Sequence, residues 1–135
     1  MISHRLKTLF LFSLIPVYLH GVEEVVFGFQ HSDSFMINGA DFFNTTPEIF
    51  YWITHIFLWW LLLPVAYILF QKSRIAIYLM TAFSFVFIFE FHHIFKALLH
   101  MSYYPGMITA LVYPLVGIFF WKELYKNWRK NYGRN

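Results

Sequence analysis

A histidine and two adjacent carboxylates, His20, Glu23 and Glu24, interrupt a run that is otherwise apolar from Leu9 to Phe29. On a helix, positions three and four apart share a face, so these side chains fall within an arc of roughly 100°. A charged carboxylate at the centre of a membrane helix costs about 2.5–3.5 kcal/mol. Two in succession therefore need a metal, a base, a proton or a water-filled cavity to compensate them. A second set, Glu90-Phe91-His92-His93, places Glu90 and His93 on one face, with His100 following a heptad later. His92 lies about 160° away from Glu90, on the side of Lys96, so His93 ranks above it. The H-x-x-E and E-x-x-H spacings are those by which helical bundles present imidazole and carboxylate to a metal. With His55 from a further apolar run, the inventory is three histidines and three carboxylates.

That inventory suits a divalent transition metal, Zn, Fe or Mn, as one or two ions, better than Mg or Ca. We expect His20, Glu23, Glu90 and His93 as ligands, with Glu24 or His55 as the base beside them. Carboxylates this close cannot all stay ionised without a cation, and apart from Lys96, expected to snorkel outward, no Lys or Arg lies at their depth. His4 and His31 read as surface residues, and His100 as interfacial.

The elements that must position these groups are membrane helices. Of 135 residues, 59% are hydrophobic, 24% aromatic and only 13% charged, whereas soluble domains carry about 25% charged residues. The expected fold is all-α, a single membrane domain of four transmembrane helices with spans near 6–29, 49–70, 75–99 and 104–124, each near the ~20 residues that a bilayer requires. Basic residues precede the first span (Arg5, Lys7), join the second to the third (Lys72, Arg74) and fill the tail (Lys122, Lys126, Arg129, Lys130, Arg134), while 30–48 holds Asp33, Asp41 and Glu48 but no Lys or Arg. Both termini then belong in the cytoplasm, as expected of a multi-pass protein of a bacterial inner membrane. The 30–48 stretch should be an irregular external loop, with Thr45 or Thr46 capping the second span. Counting 1.5 Å per residue puts His20, Glu24, His55, Glu90 and His93 all in the outer half of the membrane, so the first and third spans should meet through their polar faces. The net charge of +3 reflects topology, and the expected partners are membrane lipids and a lipophilic small-molecule substrate, not nucleic acid. Without cysteine, disulfides, thiolate metal sites and thiol nucleophiles are excluded.

His20-Gly21-Val22-Glu23-Glu24, Glu90-Phe91-His92-His93 and Tyr104-Pro105-Gly106, in this order, resemble the recurring blocks of the HXXEE family of small membrane proteins. The resemblance covers essentially all four spans. It implies no reaction, since the family is a domain of unknown function, but it suggests that Tyr104-Pro105-Gly106 lies at the mouth of the site. The leading expectation is a metal-dependent membrane enzyme. Metal-free acid/base catalysis by the same groups, as in a membrane isomerase or a glutamic protease, is a second possibility. A proton or metal-ion conduit is a third. Phe89 and His93 match the F-x-x-x-H of intramembrane glutamic proteases, but the arginine expected after their paired glutamates is absent. Few polar residues occupy the inner half, which favours a dead-end site opening outward.

Overall fold

The computed structural model describes residues 2–70 and 74–133, and among these every regular element is helical. Helix α1 (His4–Val26) starts where the Ser3 hydroxyl accepts from the Leu6 N–H at 3.1 Å, satisfying one of the donors left free at a helix start. It ends before Gly28, whose φ of +72° reverses the chain. The next stretch is more ordered than its composition suggests. Helix α2 (Phe29–Ser32) leads to Asp33, whose carboxylate accepts from Phe35 and Met36 at 2.8 and 3.3 Å and starts α3 (Ser34–Phe42). The expected irregular loop is thus largely helical: Asp33 supplies the cap, and Met36 and Ala40, one turn apart, are buried. Thr46 then caps α4 (Pro47–Tyr51) through the Ile49 N–H at 3.4 Å, as expected.

From α4 the chain continues through a π-helical segment (Trp52–Leu62) into α5 (Leu63–Phe70). The Thr54 hydroxyl takes the Phe50 carbonyl at 2.8 Å, competing with the regular ladder. Pro64, which has no N–H, falls where the π segment gives way to α5. Lys72 and Arg134, counted among the basic residues above, lie outside the described residues.

Helices α6 (Ile75–Ser84), α7 (Val86–Phe89) and α8 (Phe91–His100) form one rod with two tightened turns. At the first, the Thr81 and Ser84 hydroxyls donate to carbonyls one turn back, at 2.8 and 2.7 Å. At the second, the His93 N–H reaches the Glu90 carbonyl at 3.3 Å, an i, i+3 bond that brings the two functional residues close. Helix α9 (Met107–Ala110) leads into α10 (Tyr113–Tyr132), whose first turn contains Pro114. Three helices among the described residues are long and apolar enough to cross a membrane: His4–Val26, Ile75–His100 and Met107–Tyr132. The expected span at 49–70 is helical but divided by the π segment, so four spans are not directly evident.

Helix α10 packs between α1 and the α6–α7 part of the rod. Leu6, Phe10, Met80, Phe83, Phe87 and Phe120 fill the core at the end that carries both termini. A second cluster, Phe29, Met36, Ala40, Phe50, Tyr51 and Tyr104, fills the other end. The termini are tied together: the Ser3 N–H donates to Asn127 Oδ1 at 2.7 Å, and Trp128 Nε1 donates to Thr81 at 2.9 Å. The segment 47–70 runs antiparallel to α1, since the Tyr51 hydroxyl bonds Glu24 while the Tyr67 ring lies 4.5 Å from that of Phe10.

Candidate metal centre

Between the two apolar clusters, four side chains converge. His20 Nε2 lies 2.9 Å from Glu90 Oε2 and 3.2 Å from His93 Nε2. His93 Nε2 lies 2.9 Å from Glu90 Oε2 and 3.2 Å from Glu24 Oε1, and His20 Nε2 is 3.6 Å from the latter. All four ligand atoms lie within 4.8 Å of one another, and His20, Glu24 and His93 are buried. The first span and the third do meet through their polar faces.

The hydrogen bonds behind these atoms select one tautomer of each neutral ring. The Thr109 hydroxyl has one hydrogen, directed to the Glu23 carboxylate at 2.5 Å. At 2.7 Å from that same oxygen, His20 Nδ1 must therefore be the donor. A neutral His20 then has a lone pair on Nε2. His93 Nδ1 lies 2.5 Å from the Pro105 carbonyl, which can only accept, so in a neutral His93 the Nε2 is likewise a lone pair. With both rings neutral, two imidazole lone pairs and two carboxylate oxygens face one another, and Glu24 Oε1 is buried with no hydrogen-bond partner among the described residues.

The adjacent glutamates have separate places. Glu24 joins the convergent group, and its second oxygen accepts from Tyr51 at 2.8 Å. Glu23 turns aside and caps α9, accepting from the Ile108 and Thr109 N–H groups at 3.0 and 2.8 Å, the Thr109 hydroxyl, and Tyr103 at 2.7 Å. A carboxylate holding four hydrogen bonds has little left to offer an ion, so the expectation of Glu23 as ligand and Glu24 as neighbouring base is reversed in the geometry. His55 stacks on Tyr51, ring centroids 4.9 Å apart, outside the group of four. His92 bonds the Phe89 carbonyl at 2.9 Å, and His100 is exposed.

Tyr104-Pro105-Gly106 presses on the two histidines of the convergent group. Gly106 has φ +89°, and a Cβ placed there would come within 2.7 Å of both imidazole rings. Lys96 does not snorkel outward: its ammonium pairs with the buried Asp33 carboxylate and lies 3.3 Å from the Tyr104 hydroxyl. Burial alone would raise the Asp33 pKa, but the bonds from Lys96 and Tyr104 outweigh it and hold the group below the usual carboxylate range. Burial and the bond donated to Asp33 push the Tyr104 phenol up. Thr109 and Tyr103 were not singled out from the sequence. A lone threonine three residues after the glycine of Tyr-Pro-Gly was the available signal for the first.

A cavity of about 500 Å³ opens against this group, lined among others by His20, Glu24, Phe29, His55 and Glu90. The fold and site together define an all-helical bundle of membrane-type helices with a buried His/Glu group at one depth. Within that class, the chain belongs to the HXXEE family: the model for proteins of unknown function with an HXXEE motif matches residues 11–120. No curated protein and no solved structure matches it. The motif's three fixed letters are His20, Glu23 and Glu24, so two of them enter the convergent group and one braces it from behind.

Proposed function

We propose that this is a membrane metalloenzyme in which His20, Glu24, Glu90 and His93 hold one divalent transition metal, Zn, Fe or Mn. The observation that carries the reading is the convergence of four ligand atoms within 4.8 Å of one another, two of them on rings whose other nitrogen is held from behind. Bonds of about 2.0–2.1 Å give ligand separations of roughly 3.3 Å in a tetrahedron and 2.9 Å in an octahedron. The five separations of 2.9–3.6 Å bracket both values. Protons shared among the same atoms are the metal-free alternative, but a neutral pair of imidazoles already has its hydrogens on Nδ1, so sharing would need extra protons in a buried site. A bound ion of this kind polarises an oxygen or lowers the pKa of a bound water. Around it, Glu23 orients His20 through Thr109, Tyr51 orients Glu24, and His55 stands at the cavity wall as proton acceptor.

The wider reading has four spans, 47–70 among them, both termini in the cytoplasm, and the site in the outer half of a cell membrane, where it meets a lipophilic substrate. A conduit is disfavoured because the Ser13 and Ser84 hydroxyls toward the terminal end are spent on carbonyls at 2.7 Å, amid Phe10, Met80, Phe83 and Phe120. The test is metal content of detergent-purified protein. About one equivalent of a transition metal is expected in wild type, with strong loss in Glu24→Ala and Glu90→Ala. Wild type with well under one equivalent, and no gain in melting temperature on adding Zn, Fe or Mn, overturns the metal in favour of acid/base chemistry.

A further inference from the structure

The cavity beside the four ligands, at about 500 Å³, is within the range of small-ligand sites, about 300–1,000 Å³. One part of its wall is polar, with Glu24, Glu90 and His55; much of the rest is apolar, including Phe29, Met36 and Val86. The proton on His55 can be assigned. The Thr54 hydroxyl spends its hydrogen on the Phe50 carbonyl at 2.8 Å, so His55 Nδ1, 3.0 Å away, donates to the Thr54 oxygen. Its Nε2 is then an acceptor, without a hydrogen-bond partner among the described residues. The cavity therefore offers an acceptor on one ring and, beside it, the place where an ion would lie.

Charge narrows the occupant further. Glu24 and Glu90 would balance a divalent ion, and Asp33 already balances Lys96, both at the cavity wall. A charged head would bring uncompensated charge into a desolvated space, which is costly. Phe35 and Phe89 line the cavity yet are 65% and 58% exposed, so it opens onto apolar outer faces of the bundle, from which a chain can enter sideways. We propose that the cavity takes a single-chain lipid with an uncharged hydroxyl head. Its oxygen lies toward the His20/Glu24/Glu90/His93 group, its hydrogen toward His55 Nε2, and its tail along Phe29, Phe35 and Phe89. The oxygen's partner rests on the metal reading above; the hydroxyl's bond to His55 and the seat of the tail do not.

Because the tail passes from apolar lipid to apolar cavity, chain length contributes little and the head decides binding. A head lacking the hydrogen leaves His55 unsatisfied, a loss of about tenfold in affinity. The test uses full-length protein in nanodiscs, titrated with 1-dodecanol, 1-methoxydodecane and dodecyltrimethylammonium, with affinity read from the rise in melting temperature. Zinc content is measured on the same samples. Dodecanol should bind at least about tenfold more tightly than the ether, the cation should not bind, and His55→Phe should erase the alcohol's advantage. Val86→Phe, which narrows the cavity and is not one of the four proposed metal-holding residues, should abolish binding while zinc content stays at the wild-type level. Equal binding of alcohol and ether by wild type overturns the proposal, as does binding of the cation, and neither result depends on a variant folding. If zinc loads without the preference, the lipid falls and the metal stands. If the preference appears without zinc, the lipid stands and the metal falls.

Discussion

The Thr109 hydroxyl has one hydrogen and three neighbours that could compete for it, Glu23 at 2.5 Å, His20 Nδ1 at 2.7 Å and, farther off, the Gly106 carbonyl at 3.3 Å. Because the carboxylate takes it, the imidazole is locked as an Nδ1 donor with Nε2 toward the other ligands. Partners of this kind behind a metal-bound histidine are worth about 10–100-fold in metal affinity. Thr109→Val, nearly isosteric, should therefore weaken zinc binding by that factor in a chelator competition, and Thr109→Ser should restore it. Unchanged affinity in the valine variant would sever Glu23 from the site. The sequence made this residue-level arrangement only half legible. H-x-x-E-E offers a carboxylate at i+3 and another at i+4, and both spacings suit a shared helical face. What separates them is the start of α9, where the Thr109 N–H lies 86 positions along the chain from the Glu23 that it bonds. No local periodicity can report that contact.

At the scale of elements, the E-x-x-H of the rod works because the turn at Glu90 is tightened, and the Tyr-Pro-Gly turn supplies both the carbonyl for His93 and the clearance for the two rings. Gly106→Ala should be one of the most damaging single-methyl changes in the protein. The left-handed backbone costs about 1–2 kcal/mol for a residue with Cβ, and crowding two imidazoles costs about 1–3 kcal/mol more. A clear fall in melting temperature together with loss of bound metal is expected; a stable variant with wild-type metal content would show that this turn does not bear on the ligands. The long apolar helices were readable because their residues repeat one signal for many turns. The 30–48 stretch was not, since Asn38, Gly39 and Asn44 read as loop while the Asp33 cap and the Met36 and Ala40 contacts make it helical. The π segment likewise leaves no mark in hydropathy, since its run from Trp52 to Leu62 is as apolar as the α-helix that follows it.

For the whole molecule, the contacts at the two ends decide how many times the chain must cross. Residues 3 and 127 touch, as do 81 and 128, so the N-terminus, the first part of α6 and the last part of α10 share one end. Arg5 and Lys126 meet Glu123 there at 3.8 and 3.5 Å. Glu24, Tyr51 and Asp33 lie toward the other end, with the site between. Three rods alone would leave the chain on the wrong side before Ile75, so the proposed reading has the segment 47–70, which runs antiparallel to α1, carry it back as a fourth crossing. On the proposed reading the basic end faces the cytoplasm, because Lys and Arg are retained there. This reading predicts that a reporter inserted at Asn44, in the exposed turn before α4, faces outward, while reporters at either terminus face the cytoplasm. If the Asn44 and C-terminal reporters fall on the same side, 47–70 does not cross, and the cavity cannot open where a lipid would enter from the outer half of the membrane.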